Sequence, residues 1–266
     1  MPIYALRGVT NSPSLDYECR GAGSPLLFIH GLTFDRSTWD PIVDRLADRF
    51  TCIAVDLPGH GGSDGPPRPL DELAAAIHEL VAQLELGPPV VVGHSLGAAL
   101  AGLYAAHQPA RGLVMVDQAP YILPFATMIQ EFEPTLRSDF RAAFEPIRQT
   151  IGVELLPEPQ RSSILARQRI DQDLVLGYWS EVLNTRPDEM QARIDRDIKA
   201  SKAVGVPVLA VFGHVIDRAT REHLHGVLPD AQIEEWDGLG HMMHLMEPGR
   251  FARRLADFAD RCFSTT

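Results

Sequence analysis

Five short apolar runs, at residues 26–30, 53–56, 90–93, 113–117 and 208–212, set the strongest limit on how this chain can fold. Each is bounded by glycine or proline or by a polar residue. Most are rich in β-branched residues, and none alternates with polar ones, which is the pattern of strands covered on both faces. Helical stretches fill the spaces between them. Residues 70–86 place Leu73, Ile77, Leu80, Val81 and Leu84 on one stripe, 96–107 is rich in Ala and Leu, and 251–263 closes the chain. Strand alternating with helix predicts an α/β fold with a mostly parallel central sheet covered by helices. A weaker strand is expected at 233–236. Residues 3–9 and 15–20 read as a strand pair turned by Asn11-Ser12-Pro13.

One region breaks the alternation. From 120 to 202 there are only amphipathic helical stretches, punctuated by Pro124, Pro134, Pro146, Pro157, Pro159 and Pro187. A segment that long is too large for a loop. It reads as an inserted helical cap, leaving 1–119 and 203–266 as the core domain.

Composition narrows the function classes. Lys and Arg number 24 against 35 Asp and Glu, a formal charge of −11, which argues against a nucleic-acid partner. Cys19, Cys52 and Cys262 are scattered, with neither the spacing of a zinc site nor that of a disulfide framework. The first residues lack the basic segment and apolar core of a signal peptide, and no apolar run approaches bilayer-spanning length. The expectation is a cytoplasmic protein that is not held in a membrane and acts on a small molecule, with its oligomeric state open.

Val90-Val91-Val92-Gly93-His94-Ser95-Leu96-Gly97 carries the chemistry. It contains G-x-S-x-G with a strand before it and a helix after it, the two flanks that motif requires. A serine in such a turn presents its hydroxyl above the sheet. The following helix aims backbone N–H groups and its positive dipole end at a developing oxyanion. The same residues could be no more than a strand-to-helix turn, but the valine run and the Ala-rich helix favour a nucleophile. Serine is weak at neutral pH and needs a base titrating near it, which fits histidine.

Three further segments extend the match. Phe28-Ile29-His30-Gly31-Leu32 resembles the His-Gly turn after the third strand of α/β-hydrolases, and Asp56-Leu57-Pro58-Gly59-His60-Gly61-Gly62-Ser63 resembles that superfamily's D-x-P-G-x-G-x-S loop. Gly238-Leu239-Gly240-His241-Met242 is similar to its G-x-G-H motif. The resemblance covers essentially everything outside the cap. It implies a serine hydrolase with Ser95 as nucleophile, His241 as general base, and the backbone N–H groups of Leu32 and Leu96 as oxyanion hole. The 56–63 loop, His94 and His30 read as structural, and His244 as a packing or pocket residue.

The acid departs from the pattern. Family members usually place Asp three residues beyond the Gly after the 208–212 strand; from Gly213 that position is Ile216, and the acid comes one residue later, at Asp217. Asp217 is the first choice for the triad acid. Asp117, at the end of the preceding strand, is the rival, because some members, including dehalogenases and cofactor-free dioxygenases, carry their acid there.

Tyr121, Phe125, Met128, Phe132, Tyr178 and Trp179 are candidate pocket walls, each equally open to a packing role. They suggest a medium-sized, partly apolar substrate. The leading expectation is hydrolysis of a carboxylic ester or lactone through an acyl-serine, with no metal or organic cofactor. Carbon–carbon bond hydrolysis of a diketone-like substrate, cofactor-free oxygenation and a non-catalytic ligand receptor are the alternatives. Haloalkane dehalogenase and epoxide hydrolase chemistry would need Asp in place of Ser95.

Overall fold

Valine, leucine and isoleucine runs without polar alternation must bury both faces of their strands, and the computed structural model, which describes residues 5–9 and 15–264, shows how. The strands are β1 (Ala5–Val9), β2 (Asp16–Arg20), β3 (Ser24–Ile29), β4 (Phe50–Val55), β5 (Val90–His94), β6 (Gly112–Val116), β7 (Val208–Phe212) and β8 (Gln232–Glu235). They form one sheet in the order β1-β2-β4-β3-β5-β6-β7-β8. β2 is antiparallel to β1 and β4, and every other pairing is parallel. The turn expected at Asn11-Ser12-Pro13 and the start of the 3–9 strand lie outside the described residues.

The helices in chain order are α1 (Asp40–Leu46), α2 (Leu70–Gln83), α3 (Leu96–His107), α4 (Leu123–Ser138), α5 (Phe140–Ile151), α6 (Gln160–Arg167), α7 (Gln172–Tyr178), α8 (Ser180–Asn184), α9 (Pro187–Ala203), α10 (Arg218–Val227), α11 (Met243–Met246) and α12 (Pro248–Ser264). Successive strand residues point to opposite faces. Leu27, Ile29, Val91, Leu113 and Met115 therefore pack with Leu73, Ile77 and Leu80 of α2 and Leu100 and Tyr104 of α3. Their neighbours Leu26, Phe28, Val90, Val92, Val114 and Val116 pack with Ile42 and Val43 of α1 and Phe251, Leu255 and Phe258 of α12. Each fully buried Leu, Val, Ile or Phe contributes about 1.5–3 kcal/mol relative to exposure, so the central strands anchor the loops at their carboxyl ends.

Helices α4 to α9 lie between β6 and β7 with no strand among them, forming the inserted cap. Pro134 and Pro146 do not break it; they lie inside α4 and α5. The break between those helices falls at Asp139, whose carboxylate accepts from the Ala142 N–H and caps α5. The cap has its own aromatic cluster, with Trp179 against the edge of Phe125 at 5.6 Å and against Phe144 at 6.0 Å. Among the described residues no helix is long and apolar enough to cross a membrane.

Candidate active site

Ser95 sits between β5 and α3 with φ 54° and ψ −120°, a backbone conformation that non-glycine residues rarely adopt. The turn closes because its flanks are glycine. A Cβ on Gly93 would lie 2.0 Å from the Gly97 carbonyl oxygen, and one on Gly97 would lie 2.3 Å from that of Ile29. The Ser95 N–H donates to the Val116 carbonyl at 3.0 Å, fastening the elbow to the end of β6.

The loop after β3 packs directly on this elbow. A Cβ on Gly31 would be 3.3 Å from that of Ser95 and 2.9 Å from His94 Nδ1. Leu32 follows Gly31 in this loop, and Leu96 is the first residue of α3. Two buried histidines hold the loop. His30 Nδ1–H donates to the Gly31 carbonyl at 2.8 Å while Nε2 accepts from the Leu57 N–H at 3.0 Å. His60 Nδ1–H donates to the Pro58 carbonyl at 3.3 Å while Nε2 accepts from the Thr33 N–H at 3.1 Å. Each ring must be neutral to accept and donate at once. Burial lowers the pKa of both, that of His60 to about 3. In the 56–63 loop, the buried Asp56 carboxylate accepts from the Arg36 and Gly62 N–H groups and pairs with the Arg36 guanidinium. The structure thus gives that loop a bracing role.

His241 and Asp117 meet at the carboxyl end of the sheet. His241 Nδ1–H donates to Asp117 Oδ2 at 2.7 Å. Asp117, like Ser95, has a positive φ, of 49°. Its side chain is 4% exposed, and its other oxygen, Oδ1, accepts from the Gly213 N–H at 2.7 Å. Burial alone would raise the Asp117 pKa, but the hydrogen bond and charge of His241, the Gly213 N–H and the nearby His214 outweigh it and hold the carboxyl below its ordinary value. Gly213 also positions the His241 loop. Its carbonyl accepts from the Leu239 and Gly240 N–H groups at 3.0 and 2.9 Å, and a Cβ there would collide with Gly240 at 1.9 Å. One glycine thus fixes both Asp117 and the loop that carries His241. That loop is tied to the elbow by His94, whose Nε2–H donates to the His241 carbonyl at 2.9 Å. No hydrogen bond joins Ser95 Oγ to His241 Nε2; such contacts often tighten only with substrate bound.

The structure brings Asp117, not Asp217, to His241. Asp217 stands at the start of α10, where its carboxylate accepts from the N–H and hydroxyl of Thr220 at 2.9 and 2.8 Å. These bonds hold its pKa below the ordinary value and turn it into a helix cap. His244, the neighbour of the base, is fully buried against Trp39 and His94, with ring centroids 4.7 and 4.6 Å apart, and burial lowers its pKa to about 3. Of the aromatic candidates in the cap, Tyr121 stacks on His223, Tyr178 donates its hydroxyl to the Pro58 carbonyl at 2.9 Å, and Phe125 and Trp179 pack on each other. Met128 and Phe132 are exposed on α4. Sequence reasoning passed over His214, whose Nδ1 lies 3.2 Å from Asp117 Oδ1. Among the described residues no three His, Cys, Asp or Glu side chains group so as to hold a metal ion.

A model of the Alpha/beta hydrolase family matches residues 26–254. The chain belongs to the alpha/beta hydrolase family. Among curated relatives it is 29% identical over 258 residues to a 2-(acetamidomethylene)succinate hydrolase of Mesorhizobium japonicum, covering 93% of this chain and 92% of that one. It is likewise 29% identical over 265 residues to a pimeloyl-[acyl-carrier protein] methyl ester esterase of Yersinia pseudotuberculosis, covering 92% and 96%. A crystal structure of E-2-(acetamidomethylene)succinate hydrolase superposes with TM-score 0.73 at 24% identity over 97% of this chain and all of that one. An esterase of Exiguobacterium antarcticum superposes with TM-score 0.72 at 18% identity over 93% and 96%, a likeness of fold. Family membership supports catalysis of the hydrolase type in this chain.

Proposed function

We propose that the chain is a serine hydrolase cleaving a carboxylic ester or lactone of a medium-sized, partly apolar substrate, with Ser95, His241 and Asp117 as its catalytic triad. The observation that carries this reading is the 2.7 Å His241–Asp117 hydrogen bond beside a strained Ser95 elbow. In the proposed mechanism Ser95 Oγ attacks the substrate carbonyl carbon and gives its proton to His241 Nε2. The tetrahedral oxyanion accepts from the Leu32 and Leu96 N–H groups, each donor worth about 3 kcal/mol in the transition state. Asp117 holds the Nδ1–H tautomer and stabilises the imidazolium, which then protonates the departing alcohol. Water, deprotonated by the same base, releases the acid and regenerates Ser95. Asp217, first choice on sequence, has no part in this scheme, because its carboxylate is engaged in capping α10.

A second reading is favoured by the place of the acid at the end of β6. In it His241 deprotonates the substrate itself and Ser95 only positions it, as in cofactor-free oxygenation. Intact-mass measurement after fluorophosphonate treatment separates the two. A single addition lost in both Ser95→Ala and His241→Ala, with turnover of an ester or lactone panel, supports the acyl-serine reading. A folded wild type that takes up no label overturns it in favour of the second.

A further inference from the structure

The Asp117 carboxylate serves two imidazoles. Oδ2 accepts from His241, while Oδ1, already bonded to the Gly213 N–H, has His214 Nδ1 at 3.2 Å. The two histidines approach from different loops: His241 follows β8, and His214 follows β7 one residue beyond Gly213. Asp117 is buried but the His214 side chain is 55% exposed. Its ring meets the edge of Phe212 at 6.1 Å. The other charged groups nearby are already engaged: Asp217 with Thr220, and Glu235 of β8 with Arg221 and the Ile216 N–H. Among the described residues Asp117 is the charged group in contact with His214.

We infer that His214 is a positioning residue that sets the basicity of His241 through the carboxylate they share. The two imidazoles compete for one carboxylate. A carboxylate raises the proton affinity of an imidazole beside it. When His214 is protonated, part of the Asp117 charge is neutralised, and His241 is left a weaker base. When His214 is neutral, the Asp117 charge is left to His241 and to His244 beside it, with His94 also facing His241, and these two buried rings are the same in every variant. The imidazoles then titrate as a coupled system, with apparent values belonging to the set. The lowered Asp117 pKa, with His214 among its causes after burial, His241 and Gly213, agrees with a carboxylate in both fields.

This inference rests on the triad reading above, and its test is chosen so that the two can fail separately. The rate of fluorophosphonate addition is followed against pH for the wild type, His214→Gln and His214→Arg. His214→Gln, which can never carry charge, should move the acid limb up by roughly half a unit to one unit. His214→Arg, permanently charged, should move it down by roughly as much. A role limited to loop structure would change rates or melting temperature and leave both limbs where they were, and that outcome overturns the inference. Titration of the His241 Nδ1–H by NMR in the same proteins needs no turnover. If the wild type takes up no label but this resonance titrates differently in the variants, the triad reading fails and the coupling stands. If the resonance titrates alike in all three, the coupling is wrong.

Discussion

Asp117 follows β6 and Asp217 lies in the loop that leads from the adjacent strand β7 into α10, and their environments could hardly differ more. Asp117 follows β6 with a positive φ, is buried, and divides its oxygens between His241 on one side and Gly213 and His214 on the other. Asp217 has ordinary extended backbone, stands in solvent and folds its carboxylate back on Thr220 of its own helix. The first conformation is unfavourable by itself and persists only because β6, β7 and the His241 loop enforce it. The second is what any aspartate does before a helix. The Asp217 carboxylate is turned onto its own helix, while that of Asp117 is the one that meets His241.

The widest separation between the two acids is expected in activity. Asp117→Asn should lower the rate of Ser95 acylation by about 10³–10⁴-fold, because the amide leaves His241 without its tautomer and counter-charge. Asp217→Asn should leave that rate within about twofold, since Asn caps helices as well as Asp does. Pre-steady-state acylation kinetics of the two purified variants read the difference; equal losses would remove the distinction.

Stability extends the comparison to the buried histidines, some fully hydrogen-bonded and some not. His30→Leu would leave the Leu57 N–H and the Gly31 carbonyl without their partner, at a cost of about 2–4 kcal/mol. His244→Leu should change stability by less than about 1 kcal/mol, since neither ring nitrogen of His244 has a partner to lose. Urea unfolding of both variants measures this, and a larger loss at His244 would mean that its nitrogens are bonded through ordered water.

Acid should expose the same histidines. Burial lowers the folded-state pKa of His30, His60, His94 and His244, to about 3 for His60 and His244, from an ordinary value of 6.5. The unfolded chain therefore binds more protons than the folded one below 6.5, and stability falls as pH drops from there toward 3. Each fully titrating histidine contributes a slope of up to about 1.4 kcal/mol per pH unit. The urea midpoint should be level near pH 7–8 and fall steeply below pH 6; a level midpoint down to pH 4 would contradict the neutral, buried state of these rings.

A smaller effect than any on activity belongs to Asp217 itself. Asp217→Ala removes the cap on α10 and should cost about 1 kcal/mol without altering acylation. A thermal melt beside the acylation rate checks both halves.

Much of this was legible in the sequence because it is local. Strand runs such as 90–93 and 208–212 declare themselves by composition, and β7 falls on residues 208–212 and α3 on 96–107 as expected. The elbow is legible for the same reason, since Gly93 and Gly97 sit within two residues of Ser95. The contact between Asp117 and His241 is not local. Asp117 reaches His241 across 124 positions, and the contact exists only because β6 and β7 pair and Gly213 bridges them. Counting from Gly213 along the chain leads to Asp217, whereas Asp117, the rival candidate, lies just beyond the end of the adjacent strand β6. His214 escapes notice for that reason too. The pairing of His60 with Thr33 likewise depends on two loops meeting in space, so the sequence shows the glycine turn but not the ring that holds it.

The most direct test of the account is the second-order rate of fluorophosphonate addition to Ser95, measured side by side in the wild type, Asp117→Asn and Asp217→Asn. The account predicts rapid single addition to the wild type and to Asp217→Asn, with Asp117→Asn slower by at least about 10³-fold. Loss of reactivity in Asp217→Asn with Asp117→Asn unaffected would contradict it.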